Sequence, residues 1–180
     1  EGLSRPLRDR GVSVVAALPI LMAGMALAAG GYHLLIGLRL GGRREHLSFA
    51  ALCVAIAAYD MLSAQLYGAA TPETGGMWQR WQVVALALGS FALVEFVSDY
   101  TGRVPLPVRL TTACGYLVVT AFAVLAPVPW VLGEAPAVKH VVVPVVGTPI
   151  AYQELEVGPV FHLLTVLGVV LFLVVAVAGV

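Results

Sequence analysis

The chain has 180 residues, of which 60% are hydrophobic and 11% charged, and its formal net charge is zero. Its mean hydropathy is +0.95, whereas an ordinary soluble domain carries about 25% charged residues. This balance excludes a typical water-soluble domain, and the lack of a basic surface argues against nucleic-acid binding.

Five apolar stretches fill most of the chain. A polar juxtamembrane tail at residues 1–11 precedes predicted helices at 12–40, 47–69, 77–100, 108–132 and 158–180. A bilayer's hydrocarbon core needs about 20 mostly apolar residues per helix. The first three connections are short, so neighbouring helices are expected to run antiparallel. The sequence therefore predicts an all-α membrane protein over residues 12–180, an antiparallel bundle of five transmembrane helices in a lipid bilayer.

The fourth connection, residues 133–157, is the only long one. Two β-prone runs at 141–146 and 150–157 flank Gly147, Thr148 and Pro149, and turn residues between such runs are typical of a β-hairpin. Pro144 restricts the first run to an edge strand, because proline cannot donate to the ladder. We therefore predict a small β-hairpin on the outer membrane surface between the fourth and fifth helices.

Arginine and lysine in short loops set the orientation of a membrane protein. The first and third loops carry five arginines: Arg39, Arg43, Arg44, Arg103 and Arg109. The opposite side also carries five cations when the tail is counted: Arg5, Arg8, Arg10, Arg80 and Lys139. The charges of the tail weigh little if it is the stub of a larger extracytoplasmic domain, because long domains are translocated largely regardless of charge. We therefore expect the first and third loops in the cytoplasm and the N-terminus outside.

Ionisable residues inside a membrane span are costly and usually face the bundle interior. Six are candidates for ligand binding or signal coupling: His33, Asp60, Arg80, Glu95, Asp99 and His162. Their positions along the helices, at about 1.5 Å per residue, predict an outer layer of Asp60, Arg80 and His162, with Arg80 reaching toward Asp60. The others form an inner layer, in which Glu95 and Asp99 share one helix face.

These layers have two interpretations, which the sequence leaves open. Charges that re-pair between two helix arrangements would couple an outside event to an inside one. Alternatively, the same groups only fix helix packing, since interhelical polar contacts stabilise membrane bundles by about 0.6 to 2 kcal/mol each. Small residues four apart, Gly24 with Ala28 and Ala85 with Gly89, are expected to mark helix interfaces.

Motifs of enzymes and metal sites are missing from the sequence. It contains no phosphate-binding loop, no zinc-binding His-Glu-x-x-His helix and no nucleophile elbow. Cys53 and Cys114 both fall inside predicted helices, where they are expected to be small buried side chains. We expect no metal, no cofactor and no catalytic residue in this part of the protein.

Four segments resemble the seven-transmembrane sensory regions of bacterial histidine kinases, diguanylate cyclases and related signalling proteins. They are residues 31–35 (GYHLL), 43–50 (RREHLSFA), 78–82 (WQRWQ) and 96–102 (FVSDYTG), within about 12–110. The resemblance implies two further helices and a cytoplasmic output domain after Val180, and the bacterial inner membrane as location. The chain departs from that pattern by having five predicted spans instead of seven.

The expected function is therefore a sensory input module that relays an extracytoplasmic or membrane signal to a cytoplasmic output domain, as part of a homodimer. The main alternative is a fragment of a transporter or channel in which Asp60, Arg80 and Glu95 line a polar path. A weaker alternative is an intramembrane enzyme subunit that uses His33, His162 and the carboxylates as acid and base groups.

Overall fold

A computed structural model describes residues 14–142 and 149–179. Helices and strands follow one another in this order: α1 (Val14–Arg39), α2 (Arg44–Tyr67), α3 (Pro72–Thr101), α4 (Leu106–Leu125), α5 (Val128–Val131), β1 (Leu132–Val142), β2 (Pro149–Val157) and α6 (Pro159–Gly179). Within these residues, α1 to α4 are long and apolar enough to cross a membrane. They form an up-and-down series in which α1 packs on α2, α2 on α3 and α3 on α4.

Small residues hold α1 against α2. The face of α1 toward α2, its main neighbour, buries residues at seven-residue spacing: Ala16, Ala23, Gly30 and Gly37. A Cβ atom on Gly30 would lie 2.8 Å from the Cβ of Cys53, so only glycine fits there without a shift of one helix. A seven-residue repeat keeps one narrow stripe of a helix facing its partner. The α1–α2 pair is therefore a closely packed antiparallel unit.

Of the two small-residue pairs predicted to mark interfaces, one prediction is confirmed and one is wrong. Ala85 is buried, and the Cβ position of Gly89 lies 3.5 Å from the Cβ of Ala55 on α2. Gly24 and Ala28, in contrast, are exposed. Four-residue spacing misled here because the buried stripe of α1 follows a seven-residue repeat, and Gly24 lies one position beside it.

The start of α3 lies at Pro72 rather than at residue 77. Thr71 accepts a hydrogen bond from the backbone N–H of Thr74 (3.3 Å), and Pro72 occupies the first turn, where a missing N–H costs nothing. Gly75 and Gly76, which suggested a loop in the sequence, are buried inside the helix. Packing against neighbours thus outweighs the low helix propensity of glycine.

The end of α4 lies at Leu125 rather than at residue 132. Ala126 is extended, with φ −70° and ψ 153°, as expected for a residue that precedes proline. Pro127 follows, and the short helix α5 then leads directly into β1. The chain therefore leaves the long helix about two turns earlier than predicted.

The predicted antiparallel hairpin is present, but β1 is longer than predicted. β1 begins at Leu132 instead of residue 141, and its register with β2 runs from the Leu132–Val157 pair to the Val142–Pro149 pair. Pro149, predicted in the turn, begins β2, whereas Pro144, Gly147 and Thr148 fall on residues 143–148, which lie outside the described residues. The hairpin contacts the helical bundle mainly through α3 and α2.

A buried core joins the base of the hairpin to the helices. The N–H of Gly158 donates to the carbonyl of Val131 (3.1 Å), and a Cβ on Gly158 would lie 2.7 Å from the Trp130 oxygen. Val131 and Leu132 are fully buried. The core comprises side chains of α3, α4, α5, β1 and α6: Val83, Val84, Ala87, Tyr116, Val119, Ala123, Val131, Leu132, Val160 and Leu164.

The predicted fifth span, residues 158–180, forms helix α6, which lies against α3 and α4. Its first turns bury Val160 and Leu164 in the core. The portion of α6 that is described in full, residues 159–170, is apolar but shorter than a membrane span. Four helices, not five, therefore meet the length and hydropathy of a membrane span within the described residues.

Candidate functional site

The loops divide the bundle into two ends. The arginine end carries the connections at residues 40–43 and 102–105, with the five arginines of the first and third loops beside them. The hairpin end carries the connection at 68–71 and the β-hairpin. Polar side chains link neighbouring helices at both ends, and four of the six predicted site residues make such links: His33, Arg80, Glu95 and Asp99.

An ion cluster joins α3 to α4 at the arginine end. Arg109 donates from Nε to Oε1 of Glu95 (3.2 Å) and from Nη2 to Oε2 of the same carboxylate. The same Nη2 lies 3.5 Å from Oδ1 of Asp99. All three side chains are mostly buried, with Asp99 only 11% exposed. Two parallel N–H···O bonds make this a bidentate pair, the strongest form of an arginine–carboxylate contact.

The connection between α3 and α4 brings these residues together. Gly102 ends α3 in the left-handed conformation (φ 66°), and its N–H donates to the carbonyl of Ser98 (2.8 Å). Glycine adopts that conformation without a steric penalty. The sequence predicted the acidic face of Glu95 and Asp99 but treated Arg109 only as a loop charge. The short loop before α4 was the signal for its role, because it places the first turn of α4 beside the last turns of α3.

A histidine pair joins α1 to α2 at the same end. Nδ1 of His33 lies 3.0 Å from Nδ1 of His46. His33 also packs on the ring of Phe49, at 4.4 Å between centroids. Phe49 contacts Phe96 of α3 at 5.1 Å, so an aromatic row runs from α1 across α2 to α3. His46 was missed from sequence because it lies in the first turn of α2, which was assigned to a loop.

Arg80 binds the carboxyl end of α4 at the hairpin end. Its Nε donates to the carbonyl of Ala123 (2.6 Å), and its Nη2 donates to the carbonyls of Val124 (2.5 Å) and Ala126 (2.7 Å). Pro127 has no N–H with which to complete the last turn. A cation at the C-terminus of a helix is also favoured by the helix dipole. Arg80 therefore caps α4 and ties it to α3.

The predicted pairing of Asp60 with Arg80 is wrong. Arg80 donates its hydrogen bonds to α4, and Oδ2 of Asp60 is buried with no hydrogen-bond partner in the part of the chain that the structure describes. His162 is exposed in the first turn of α6. The outer layer of three groups is therefore not a connected cluster among the described residues. Spacing along one helix did not give the direction in which each side chain points around the axis.

A buried hydrogen bond links α2 and α3 near Asp60. Nε2 of Gln82 donates to Oγ of Ser63 at 2.7 Å, and both residues are buried. The Ser63 hydroxyl in turn donates to the carbonyl of Tyr59 (2.9 Å). Neither residue is ionisable, so a search for charges inside the spans could not find this contact. It fixes α2 against α3 at the hairpin end.

A shallow apolar groove runs between α2 and α3 and encloses about 640 Å³. Its α2 wall is built from small side chains, including Ala51, Ala55 and Ala58, and Trp81 lies toward the hairpin end. Glu95 lies toward the other end but is held by Arg109. The groove has the chemistry of a lipid-facing or helix-facing surface, since it offers almost no polar group to a solute.

The described residues include no group of three or more His, Cys, Asp or Glu side chains that could hold a metal ion. Cys53 is buried, as predicted, whereas Cys114 is exposed on α4 and corrects the prediction for that residue. Comparison with known proteins found no matching protein family, no similar curated protein and no similar solved structure.

Proposed function

We propose that this chain is the input domain of a multi-pass membrane signalling protein. In this proposal α1 to α4 cross the bilayer, and the domain relays a change at the hairpin end to an output domain at the arginine end. The observation that carries the proposal is that α3 and α4 are bound to each other at both ends, by Arg80 at one and by Arg109 with Glu95 at the other.

The surface of the four long helices supports a membrane location. Their most apolar 18-residue windows have mean hydropathies of 1.6 to 1.8. Large apolar side chains are exposed on several helices, among them Leu38 (64%), Val54 (56%) and Leu125 (81%). Soluble monomers rarely expose contiguous apolar surface on this scale, whereas lipid covers it without cost. Arginines around the connections at 40–43 and 102–105 favour a cytoplasmic position for that end.

The α3–α4 pair offers a physical route for the relay. β1 follows α4 through the short helix α5, and Val131 and Leu132 bury the hairpin base in the same core as α3 and α4. A displacement of the hairpin base would therefore move the end of α4 that Arg80 holds. α4 has 20 residues and is thus about 30 Å long, enough to carry the displacement to Arg109.

The transporter alternative draws no support from these contacts. It requires Asp60, Arg80 and Glu95 to line one polar path. Arg80 and Glu95 lie at opposite ends of α3, and each binds α4 rather than an open channel. The groove between α2 and α3 is lined almost entirely by apolar side chains. The enzyme alternative likewise lacks a compact set of acid and base groups among the described residues.

The full-length gene product in proteoliposomes tests the proposal. Activity of its soluble output region and solute flux are measured on the same preparation, for the wild type and for Arg80→Met. Arg80→Met should shift the output activity at least severalfold while leaving insertion intact, because it frees the α4 end beside the hairpin. Gln65→Met, at an exposed position of the same bundle end, is the matched control and should leave output unchanged. Flux without any change of output would favour the transporter instead.

A further inference from the structure

His33 and His46 face each other head-on. Their Nδ1 atoms are 3.0 Å apart and their ring centroids 5.1 Å apart. The distance between the centroids is greatest when both Nδ1 atoms lie on the line that joins the two rings. The observed distance is close to that maximum, so each nitrogen points at the other. Two ligands of one metal ion would instead incline toward a point about 2.0 to 2.1 Å from each nitrogen. The geometry is that of a direct N–H···N hydrogen bond.

Such a contact limits the number of protons that the pair can carry. A neutral imidazole has one N–H donor and one acceptor nitrogen, whereas both nitrogens of an imidazolium are donors. One Nδ1 must therefore be unprotonated for the bond to form. The contact tolerates two neutral rings or one neutral and one charged ring. Two charged rings would place two N–H groups and two positive charges face to face.

Aromatic rings and charged side chains surround the pair, and both make a second positive charge on it unfavourable. Tyr32 approaches His33 edge-on at 5.7 Å and Phe49 packs on it at 4.4 Å, and these rings keep water from part of the pair. The charged groups on the helices around it are Arg39 on α1, Arg43, Arg44 and Glu45 on α2, Glu95 and Asp99 on α3, and Arg109 on α4. Glu95 and Asp99 are bound by Arg109, and Glu45 by Arg43 at 3.5 Å.

We propose that His33 and His46 form a proton-sensitive latch that holds the arginine ends of α1 and α2 together. A second proton on the pair removes the acceptor, breaks the Nδ1–Nδ1 contact and separates the two helix ends. The connection can follow such a movement, because Gly41 and Gly42 form it with φ near +77° and +79°, values that suit glycine. The small-residue seam at Gly30 and Cys53 would loosen next.

The latch is a property of α1 and α2 and does not depend on the sensory role. Only its effect on an output domain at the arginine end rests on the proposed function. A failure of the latch would leave the relay through α3 and α4 untouched, and the experiment below measures no output activity. The experiments can therefore contradict the latch without contradicting the relay, and the reverse.

Cys53 provides a native reporter of the seam. It is only 4% exposed and lies against Gly30, within two turns of His46. The purified chain in detergent micelles, with Cys114→Ser, is reacted with 4,4′-dithiodipyridine from about pH 8 to pH 5, the range in which imidazoles change charge. Exposed Cys114, in a Cys53→Ala chain, gives the reference rate at each pH. Relative to that reference, the Cys53 rate should rise about tenfold on acidification as the seam opens.

Glutamine variants test whether the histidine pair causes the change. In His33→Gln or His46→Gln, the amide donates to a neutral histidine and its carbonyl accepts from a charged one, so the contact persists at every pH. The relative Cys53 rate should then stay flat within about twofold. His162→Gln, at an exposed histidine of α6, should keep the wild-type response. A flat wild-type rate, or the wild-type response in both His33→Gln and His46→Gln, would overturn the latch.

Nitrogen NMR of the histidine-labelled wild type gives a second reading that needs no variant. A scalar coupling between the two Nδ1 atoms should be present near pH 8 and lost near pH 5. A coupling that persists at pH 5, or that is absent at both values, would contradict the latch even if the glutamine variants failed to fold.

Discussion

Nε of Arg80 on α3 donates a hydrogen bond to the carbonyl oxygen of Ala123 on α4, at 2.6 Å. In an uninterrupted helix that oxygen would accept from the residue four positions later, which here is Pro127 and has no N–H. Pro127 thus leaves the Ala123 carbonyl without its donor, and Arg80 supplies the missing hydrogen bond. Because Arg80 lies on α3, this hydrogen bond also holds α3 to α4 beside the hairpin.

Loss of the Arg80 cap should weaken the bundle. Arg80→Met leaves the carbonyls of Ala123, Val124 and Ala126 without their donor, and we expect a loss of about 2 kcal/mol in unfolding free energy, typical of hydrogen bonds to a charged group. Arg80→Lys should lose less, because one ammonium can still reach part of the set. Circular dichroism during detergent-induced unfolding measures both. Arg39→Met, at an exposed arginine, is the control and should stay within about 0.5 kcal/mol of the wild type.

Two adjacent glycines on α1 should respond in opposite ways to the same substitution. A Cβ on Gly30 would lie 2.8 Å from the Cβ of Cys53, whereas a Cβ on Gly31 meets nothing within 4 Å. Gly30→Ala should therefore destabilise the chain by about 1 to 3 kcal/mol through overpacking. Gly31→Ala should be neutral or stabilising by up to about 1 kcal/mol, because alanine favours the helix. Equal effects in the same unfolding assay would show that α1 does not pack on α2 as described.

Two ion pairs at the arginine end should differ in strength and in salt dependence. Glu95 and Arg109 are 23% and 26% exposed, whereas Arg43 and Glu45 are 64% and 32% exposed and 3.5 Å apart. A double-mutant cycle of Glu95→Gln and Arg109→Gln should give a coupling near 1 kcal/mol. The cycle of Arg43→Gln and Glu45→Gln should give a few tenths at most, as exposed pairs do.

Added salt provides the second arm of that comparison. At about 0.5 M salt the coupling of the exposed pair should vanish, while that of Glu95 with Arg109 should persist, because buried pairs are screened less. If the two couplings are equal, or if both vanish with salt, Glu95 and Arg109 do not form the mostly buried clamp that the relay requires.

The sequence predicted the helices well because long apolar runs have few alternatives. Helices α1 to α4 lie where hydropathy placed them, and an antiparallel hairpin lies in the predicted long connection before α6. The boundaries failed where single residues act through local geometry. Thr71 with Pro72 begins α3 early, and Pro127 ends α4 early. Such caps and breaks depend on individual hydrogen bonds, which average hydropathy does not register.

Prediction of the site was less complete, because contacts between helices depend on rotation about each axis. Glu95, Asp99 and His33 do make interhelical contacts at the predicted end. Of their partners, Arg109 was counted only as a loop charge and His46 was placed in a loop. Arg80 binds α4 and does not meet Asp60. Spacing along one helix gives height and relative face. It does not give the orientation of that face toward a neighbouring helix.

Topology of the chain in a living membrane tests most directly the membrane crossing and orientation on which the proposed relay depends. Single cysteines replace Leu40 at the arginine end and Ala70 at the hairpin end, both exposed, in a chain with Cys53→Ala and Cys114→Ser. A membrane-impermeant maleimide is applied to intact cells and again after permeabilisation. We predict that the cysteine at position 70 reacts in intact cells and the one at position 40 only after permeabilisation. The reverse pattern, or a chain recovered from the soluble fraction, would contradict the account.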